Sequence, residues 1–263
     1  MTDRPEPSPG PGRRRGQGQA TTLAIVLRRS DFRETSRIVT CLSREHGRLS
    51  GLAKGAHRPD SPFLGRLDFL NEVEATFSAD RGGLRLLVKA TLRRERRALR
   101  EPARFVAASH LAQLCEHASQ EGQPAPELFD LLHGGLNLLE RCPREVVAQV
   151  MLGLELRYLG LLGALPDLER CCVGGCALGE AAFREPDGRG LACRRHAGVP
   201  RRAVAAEVLA SLRLLLAGPG RSLPSTLLPA PAHRAAPLVG AWLEAATEQR
   251  ARLRPMLFEA GLP

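Results

Sequence analysis

The apolar periodicity of this chain changes once, shortly before residue 100, and that change limits the possible folds more than any other feature. From residue 20 to 92 the chain reads as short runs rich in Val, Ile, Leu and Thr, at 22–27, 36–42, 48–53, 71–77 and 84–92. Turn-forming groups separate them: Arg29-Ser-Asp31, Arg44-Glu-His-Gly47, Pro59-Asp-Ser-Pro62 and Asp80-Arg-Gly-Gly83. Five strands with no long helical segment among them predict a small closed barrel. An OB-like barrel has that count and size, and an SH3-like barrel is the alternative.

Past residue 100 the period becomes 3.6. Phe105, Ala108, Leu111, Ala112 and Cys115 share one face of a first predicted helix. Leu128, Leu131, Leu132, Leu136 and Leu139 repeat the pattern after Pro124 and Pro126. Val146, Val150, Leu152 and Leu156 carry a third helix toward Tyr158. Helical character resumes at Pro200 with Val204, Val208, Leu212 and Leu215, and a last helix is expected over 233–250. The expected chain is therefore α+β. A Pro-, Gly- and Arg-rich tail at 1–19 is too polar to fold. An OB-like barrel occupies 20–95, and an α-helical domain occupies 96–263 with a zinc finger inserted at 168–198.

The insertion is marked by thiols. Cys171, Cys172 and Cys176 lie in Arg170-Cys-Cys-Val-Gly-Gly-Cys176, and Cys193-Arg-Arg-His196 follows after sixteen residues. Two such knuckles can place four soft ligands around one tetrahedral ion, as zinc requires. Spacing allows either Cys171 or Cys172 as the first ligand, beside Cys176, Cys193 and His196. Gly174 and Gly175 can take positive φ and fold the longer loop back. A hairpin from Phe183 to Cys193, turning at Pro186-Asp-Gly188, would deliver the second knuckle. Four protein ligands close the coordination sphere, so the ion is expected to hold structure. A catalytic zinc would need an open position and a base, and Glu169, Glu180 and Glu185 fall in no metallohydrolase spacing.

Charge points to an anionic partner. The net charge is +10, and only Lys54 and Lys89 are lysines, so the other basic residues are arginines. From Asp80 to Arg104 there are nine basic residues against three acids. Arg28, Arg29, Arg33 and Arg37 form a second group, and Lys54, Arg58 and Arg66 a third. The anionic partner is either nucleic acid or a membrane surface; for nucleic acid, and for DNA as the resemblance given below implies, Arg33, Arg37, Lys54, Arg58, Arg93, Arg94 and Arg97 are the expected phosphate contacts. A salt-bridged linker is the plainer reading of the arginine run. Phe32 and Phe63 are the candidate stacking platforms, while Phe69 and Phe77 read as core.

Other functions find little support. There is no Gly-x4-Gly-Lys-Ser/Thr loop, no His-Glu-x2-His and no Gly-x-Ser-x-Gly, so the chain does not read as an enzyme. Cys115 on an apolar helical face, with His110 and His117 exposed, is the expected arrangement. Cys41 and Cys142 likewise read as buried reduced thiols. Without a leader-like or membrane-length apolar run, and with that cysteine usage, a cytoplasmic location at the nucleoid is expected.

Several motifs in order resemble the RecO family of bacterial DNA repair proteins. Ala53-Lys-Gly-Ala-His-Arg58 is similar to its Ala-Lys-Gly-Ala-x-Arg signature. Tyr158-Leu-Gly-Leu-Leu-Gly-Ala-Leu-Pro166, then Leu168 and Cys171, resembles the stretch leading into the family's zinc finger. Cys193 and His196 match its second pair, commonly Cys-x2-Cys. Asp31-Phe-Arg-Glu34-Thr-Ser36 with Ile38 and Val39 resembles the turn between its first strands. The resemblance spans roughly residues 20–250. It implies an OB fold, a helical domain and a zinc finger. It also implies binding of single- and double-stranded DNA and annealing of complementary strands. Work with RecR, and in many bacteria RecF, to load RecA onto DNA coated by the single-strand-binding protein SSB is implied as well. The longer first knuckle and the final His depart from the family pattern. A zinc-ribbon adaptor of transcription or RNA metabolism, reading nucleic acid through the finger itself, is the rival.

Overall fold

Alternating strands with one apolar face can bury it completely by closing into a barrel, and the first part of this chain does so. The computed structural model describes residues 19–79, 84–179, 181–185, 188, 190–199, 202–218, 231–249 and 252–258. Five strands, β1 (Ala20–Phe32), β2 (Ser36–Ser43), β3 (Gly47–Ala53), β4 (Glu72–Phe77) and β5 (Arg85–Arg94), close in the order β1-β2-β3-β5-β4. The β3–β5 pair is parallel and the others are antiparallel. This is the OB-type Greek-key barrel. Val26, Val39, Cys41, Leu49, Val73, Phe77 and Leu87 point inward and fill it. Ile25, Leu27 and Leu42 point outward into the helical core.

One expected turn is strand. Arg29-Ser-Asp31 pairs with Val39, Ile38 and Arg37, and the reversal falls at 33–35, where Arg33 takes a φ of 56°. Phe63 is buried in the barrel core and is not available for stacking, whereas Phe77 is core as expected.

The helical part comprises α1 (Pro102–Ala118), α2 (Pro126–Arg141), α3 (Val147–Leu161), α4 (Ala206–Ala217), α5 (Ala232–Thr247) and a short α6 (Arg254–Phe258). Pro102 and Pro126 begin their helices, where a missing N–H costs nothing. The Glu101 carboxylate accepts the amides of Ala103 and Arg104 at 3.2 and 3.1 Å. α3 is buried on nearly every side and forms the bundle's centre. On α1 the expected face is buried except Phe105, which is exposed and makes an edge contact with Phe69, centroids 5.9 Å apart. His110 is buried, contrary to expectation. Its Nε2 lies 2.9 Å from Glu155 Oε1, and the fully buried Glu155 also accepts Arg254 Nε at 2.8 Å and Nη2 at 3.0 Å. A buried carboxylate needs such partners, and these tie α1, α3 and α6 together.

Val204 belongs to a strand, and α4 starts only at Ala206. The strands β6 (Ala182–Arg184), β7 (Leu191–Cys193) and β8 (Arg202–Val204) form a small sheet in the order β7-β6-β8. The expected Phe183–Cys193 hairpin is present as β6 and β7. Pro186 and Asp187 of its turn, Pro200, Arg81, and the tail to residue 18 lie outside the described residues.

Barrel and bundle are joined through backbone. Arg48 N–H donates to Gln120 O at 3.1 Å, Gly122 N–H to Arg48 O at 3.0 Å and Ala125 N–H to Arg44 O at 3.2 Å. Gly47 sits in this seam at a φ of 58°, where a Cβ would lie 1.8 Å from Gln123 O. Among the described residues no helix is long and apolar enough to cross a membrane.

Candidate metal centre and nucleic-acid interface

The thiol-rich segment folds as two facing knuckles. In the first, Cys171 N–H donates to Cys176 O and Gly175 N–H to Cys171 O, both at 2.8 Å. Gly175 takes the left-handed conformation, φ 65°, that this reversal needs. Gly174 does not share that conformation. Its role is space, since a Cβ there would lie 2.1 Å from His196 Cε1. In the second knuckle β7 ends at Cys193, and the amides of His196 and Ala197 turn back onto the Cys193 carbonyl at 3.1 and 2.9 Å.

These turns bring Cys171, Cys176, Cys193 and His196 together, with all ligand atoms within 4.8 Å of one another. Cys176 Sγ lies 3.4 Å from Cys193 Sγ, and His196 Nδ1 lies 3.6, 3.8 and 3.5 Å from the sulfurs of Cys171, Cys176 and Cys193. A tetrahedral zinc with ordinary bond lengths has edges of about 3.8 Å between sulfurs and about 3.6 Å between sulfur and nitrogen. The donor set therefore fits a tetrahedral ion. Cys172 lies outside the cluster: its amide donates to Leu191 O at 2.9 Å, and its exposed side chain lies against Gly190. Partial burial works against ionising Cys171, but hydrogen bonds from the Gly174, Cys193 and Val173 backbone and from His196 outweigh it and bring the thiol down to about 6. Thiolate character is what a metal ligand needs. By contrast, burial pushes Cys41 and Cys115 up to about 12, as inert core thiols.

The basic residues divide into two sets. At the tip of the β1–β2 hairpin, His57 N–H donates to Thr35 O at 3.1 Å, which seats the 54–58 turn against the 33–35 turn. Arg33, Lys54 and Arg58 are exposed there, and none pairs with a carboxylate among the described residues. Arg37 belongs to the same end but bonds Asp31 at 3.2 Å, as does His57 at 2.9 Å. The second set is internally neutralised. Arg93 pairs with Glu74, Arg94 with Glu140 at 2.6 Å, and Arg97 with Glu95 at 2.8 Å. Arg96, almost wholly buried between barrel and α2, bonds Glu72 at 3.1 Å, Glu140 at 2.8 Å and Asn137 at 2.9 Å. Register separates the two sets. Arg94 faces Glu72, beside Ile25 of β1, roughly 20 Å along that strand from Asp31. Lys89, counted in the arginine run but not singled out, is exposed and has no carboxylate partner among the described residues.

A groove of about 910 Å³ lies between the barrel and α2–α3. Arg44, Arg141 and Arg157 border it over an apolar floor that includes Leu131, Leu138 and Leu154.

Two family models match this chain. Recombination protein O N terminal covers residues 18–96, and Recombination protein O C terminal covers residues 99–253. The chain belongs to the RecO family. A DNA repair protein RecO from Anaeromyxobacter dehalogenans is 35% identical over 244 residues, covering 90% of this chain and 95% of the relative. One from Myxococcus xanthus is 31% identical over 207 residues, 78% of this chain and 84% of the relative. One from Rhodopirellula baltica is 39% identical over 155 residues, and there the match spans little more than half of either protein, 58% and 57%. The family models meet where β5 ends and α1 approaches.

Proposed function

We propose that this RecO-family chain is a non-enzymatic, DNA-binding mediator of recombinational repair. It binds single- and double-stranded DNA and anneals complementary strands. With RecR, and with RecF where present, it helps load RecA onto SSB-coated DNA in the cytoplasm, at the nucleoid. The observation that carries this reading is the group Arg33, Lys54 and Arg58 at one end of an OB-type barrel, without acidic partners among the described residues. Cations so placed displace counterions from phosphate without reading sequence. Annealing is limited by repulsion between two backbones, so neutralising one of them lowers the barrier.

The four-ligand cluster is read as a structural zinc site. Cys171, Cys176, Cys193 and His196 would hold the ion and leave no position open for water. When bound, zinc supplies cross-linking alone, pinning the two knuckles to each other.

The groove, whose Arg44 is already paired with Asp130 at 2.8 Å, suits the acidic tail of SSB through its remaining arginines. Arg141 is the readiest contact. Arg157 already donates to the carbonyls of Gly153, Leu215 and Gly218, and Arg144 lies 3.6 Å from Glu101. The rival adaptor reading draws on the exposed Arg170, Arg194 and Arg195 beside the knuckles.

A strand-annealing assay with complementary oligonucleotides, bare and SSB-coated, tests the proposal. Acceleration of both is expected, and no acceleration of either overturns it. If reversing Arg194 and Arg195 abolishes all nucleic-acid binding while reversing Arg33, Lys54 and Arg58 changes nothing, the adaptor reading replaces it.

A further inference from the structure

The four ligands of the cluster are unequally covered. Cys171 is 2% exposed and Cys193 and His196 are half-buried, whereas Cys176 is exposed, as is every residue from Cys172 to Ala177. Cys176 comes from the first knuckle and Cys193 from the second, and their sulfurs lie 3.4 Å apart. Sulfurs on one zinc ion stand about 3.8 Å apart, and a disulfide needs about 2.0 Å. The pair is therefore already inside the tetrahedral edge, and about 1.4 Å of movement, shared by two side chains, would join it. Four protein ligands shield an ion from water but leave the outer side of an exposed sulfur open. While it holds a metal that sulfur is a thiolate, the form of cysteine that peroxides attack. Cys172 is exposed too, but it lies against Gly190 and outside the cluster.

We propose that the Cys176–Cys193 edge is an oxidation site, where a peroxide replaces the metal cross-link between the knuckles by a disulfide. The inference rests on the structural-zinc reading above and adds a chemical reactivity to it. Cys176 Sγ attacks one oxygen of hydrogen peroxide, the O–O bond breaks, and the departing hydroxide takes up a proton to leave as water. The sulfenic acid formed on Cys176 is then attacked by Cys193 Sγ. An S–S bond forms, the S–O bond breaks, and a second hydroxide leaves as water after taking up a second proton. In sum, two thiolates, one hydrogen peroxide and two protons give one disulfide and two waters. The sulfurs lose two electrons and the peroxide gains them. Cys171 and His196 remain as donors, and two donors do not close a tetrahedral site. The ion leaves, and the disulfide keeps the knuckles facing each other. Thiol exchange reverses the change, whereas a thiol with no partner in reach can be oxidised irreversibly past the sulfenic stage.

Hydrogen peroxide added to the zinc-loaded full chain tests this, read by a chromogenic zinc indicator, by thiol titration and by mass mapping of cross-linked peptides. About one zinc ion per chain should be released with the loss of about two thiols, and the new cross-link should map to Cys176–Cys193. Dithiothreitol with added zinc should restore both. Cys172→Ser should respond as the parent does. In Cys193→Ser the reaction should stop at Cys176 and leave a sulfenic acid that dimedone traps, a readout that does not depend on metal binding. Zinc retained in excess peroxide, a cross-link that maps to Cys172, release without any disulfide, or no dimedone adduct at Cys176 overturns the inference and leaves the structural zinc standing. If the chain purified from zinc-supplemented cells carries no zinc, the zinc reading fails and the inference falls with it.

Discussion

At the scale of single residues, two adjacent cysteines have opposite fates because a turn points neighbouring side chains to opposite sides. Cys171 faces the cluster, and Cys172 lies over Gly190. Cys171→Ser should lose stoichiometric zinc, whereas Cys172→Ser should keep it, as measured by metal analysis of the purified proteins. Gly174→Ala tests the same geometry without touching a ligand. A methyl group 2.1 Å from His196 Cε1 must push the imidazole away. Zinc affinity should fall about 10–100-fold, the range seen when groups that orient ligands are altered, and a competing chelator reads this directly. Sequence spacing could narrow the first ligand to two candidates but not choose between them, because the choice depends on the Cys172–Leu191 backbone pairing. The glycines of the knuckle were legible as necessary, but only Gly175 for the reason expected.

At the scale of elements, strands and helices were legible wherever period and turn chemistry agreed. They misled where tertiary pairing decided. Arg29-Ser-Asp31 has a turn's composition, yet β2 holds it in register up to Phe32. Arg202–Val204 is too short to declare itself a strand and becomes one by adding to β6. The arginine run had the same weakness. Its cations are local in sequence and a salt-bridged linker was one reading, but the partners of Arg93 and Arg94, Glu74 and Glu140, lie in β4 and α2, so which carboxylates neutralise them was not legible. Arg96 is the clearest case, a guanidinium whose burial counts against it and whose bonds to Glu72 and Glu140 compensate. Arg96→Met should destabilise the chain by about 1–3 kcal/mol, because Glu140 is left with Arg94 alone and Glu72 with His133 alone in a closed interface. Urea unfolding with an unchanged m-value would give that figure.

At the scale of the whole molecule, the net charge of +10 is divided between a structural share and a share open to a partner. Reversing Arg33, Lys54 and Arg58 to Glu should weaken DNA binding and flatten the dependence of log affinity on log salt by about 0.7–0.9 for each phosphate that is no longer neutralised. Reversing Arg93, Arg94 and Arg97 should chiefly lower the melting temperature, since each leaves a carboxylate facing a new negative charge. Titrations at four salt concentrations alongside thermal melts separate the two outcomes. Equal effects of the two triple variants on the salt slope would merge the surfaces into one.

The backbone seam at Arg44, Arg48 and Gly122, together with the Arg96 bridge, carries one more consequence. A swivel between barrel and bundle would have to break main-chain bonds at β3 and uncover a buried charge in the same movement. The barrel is thus carried on the bundle by main-chain bonds, without a hinge at this seam. If the chain holds DNA as proposed, a ligand that spans barrel and bundle has to adapt its own shape to this frame.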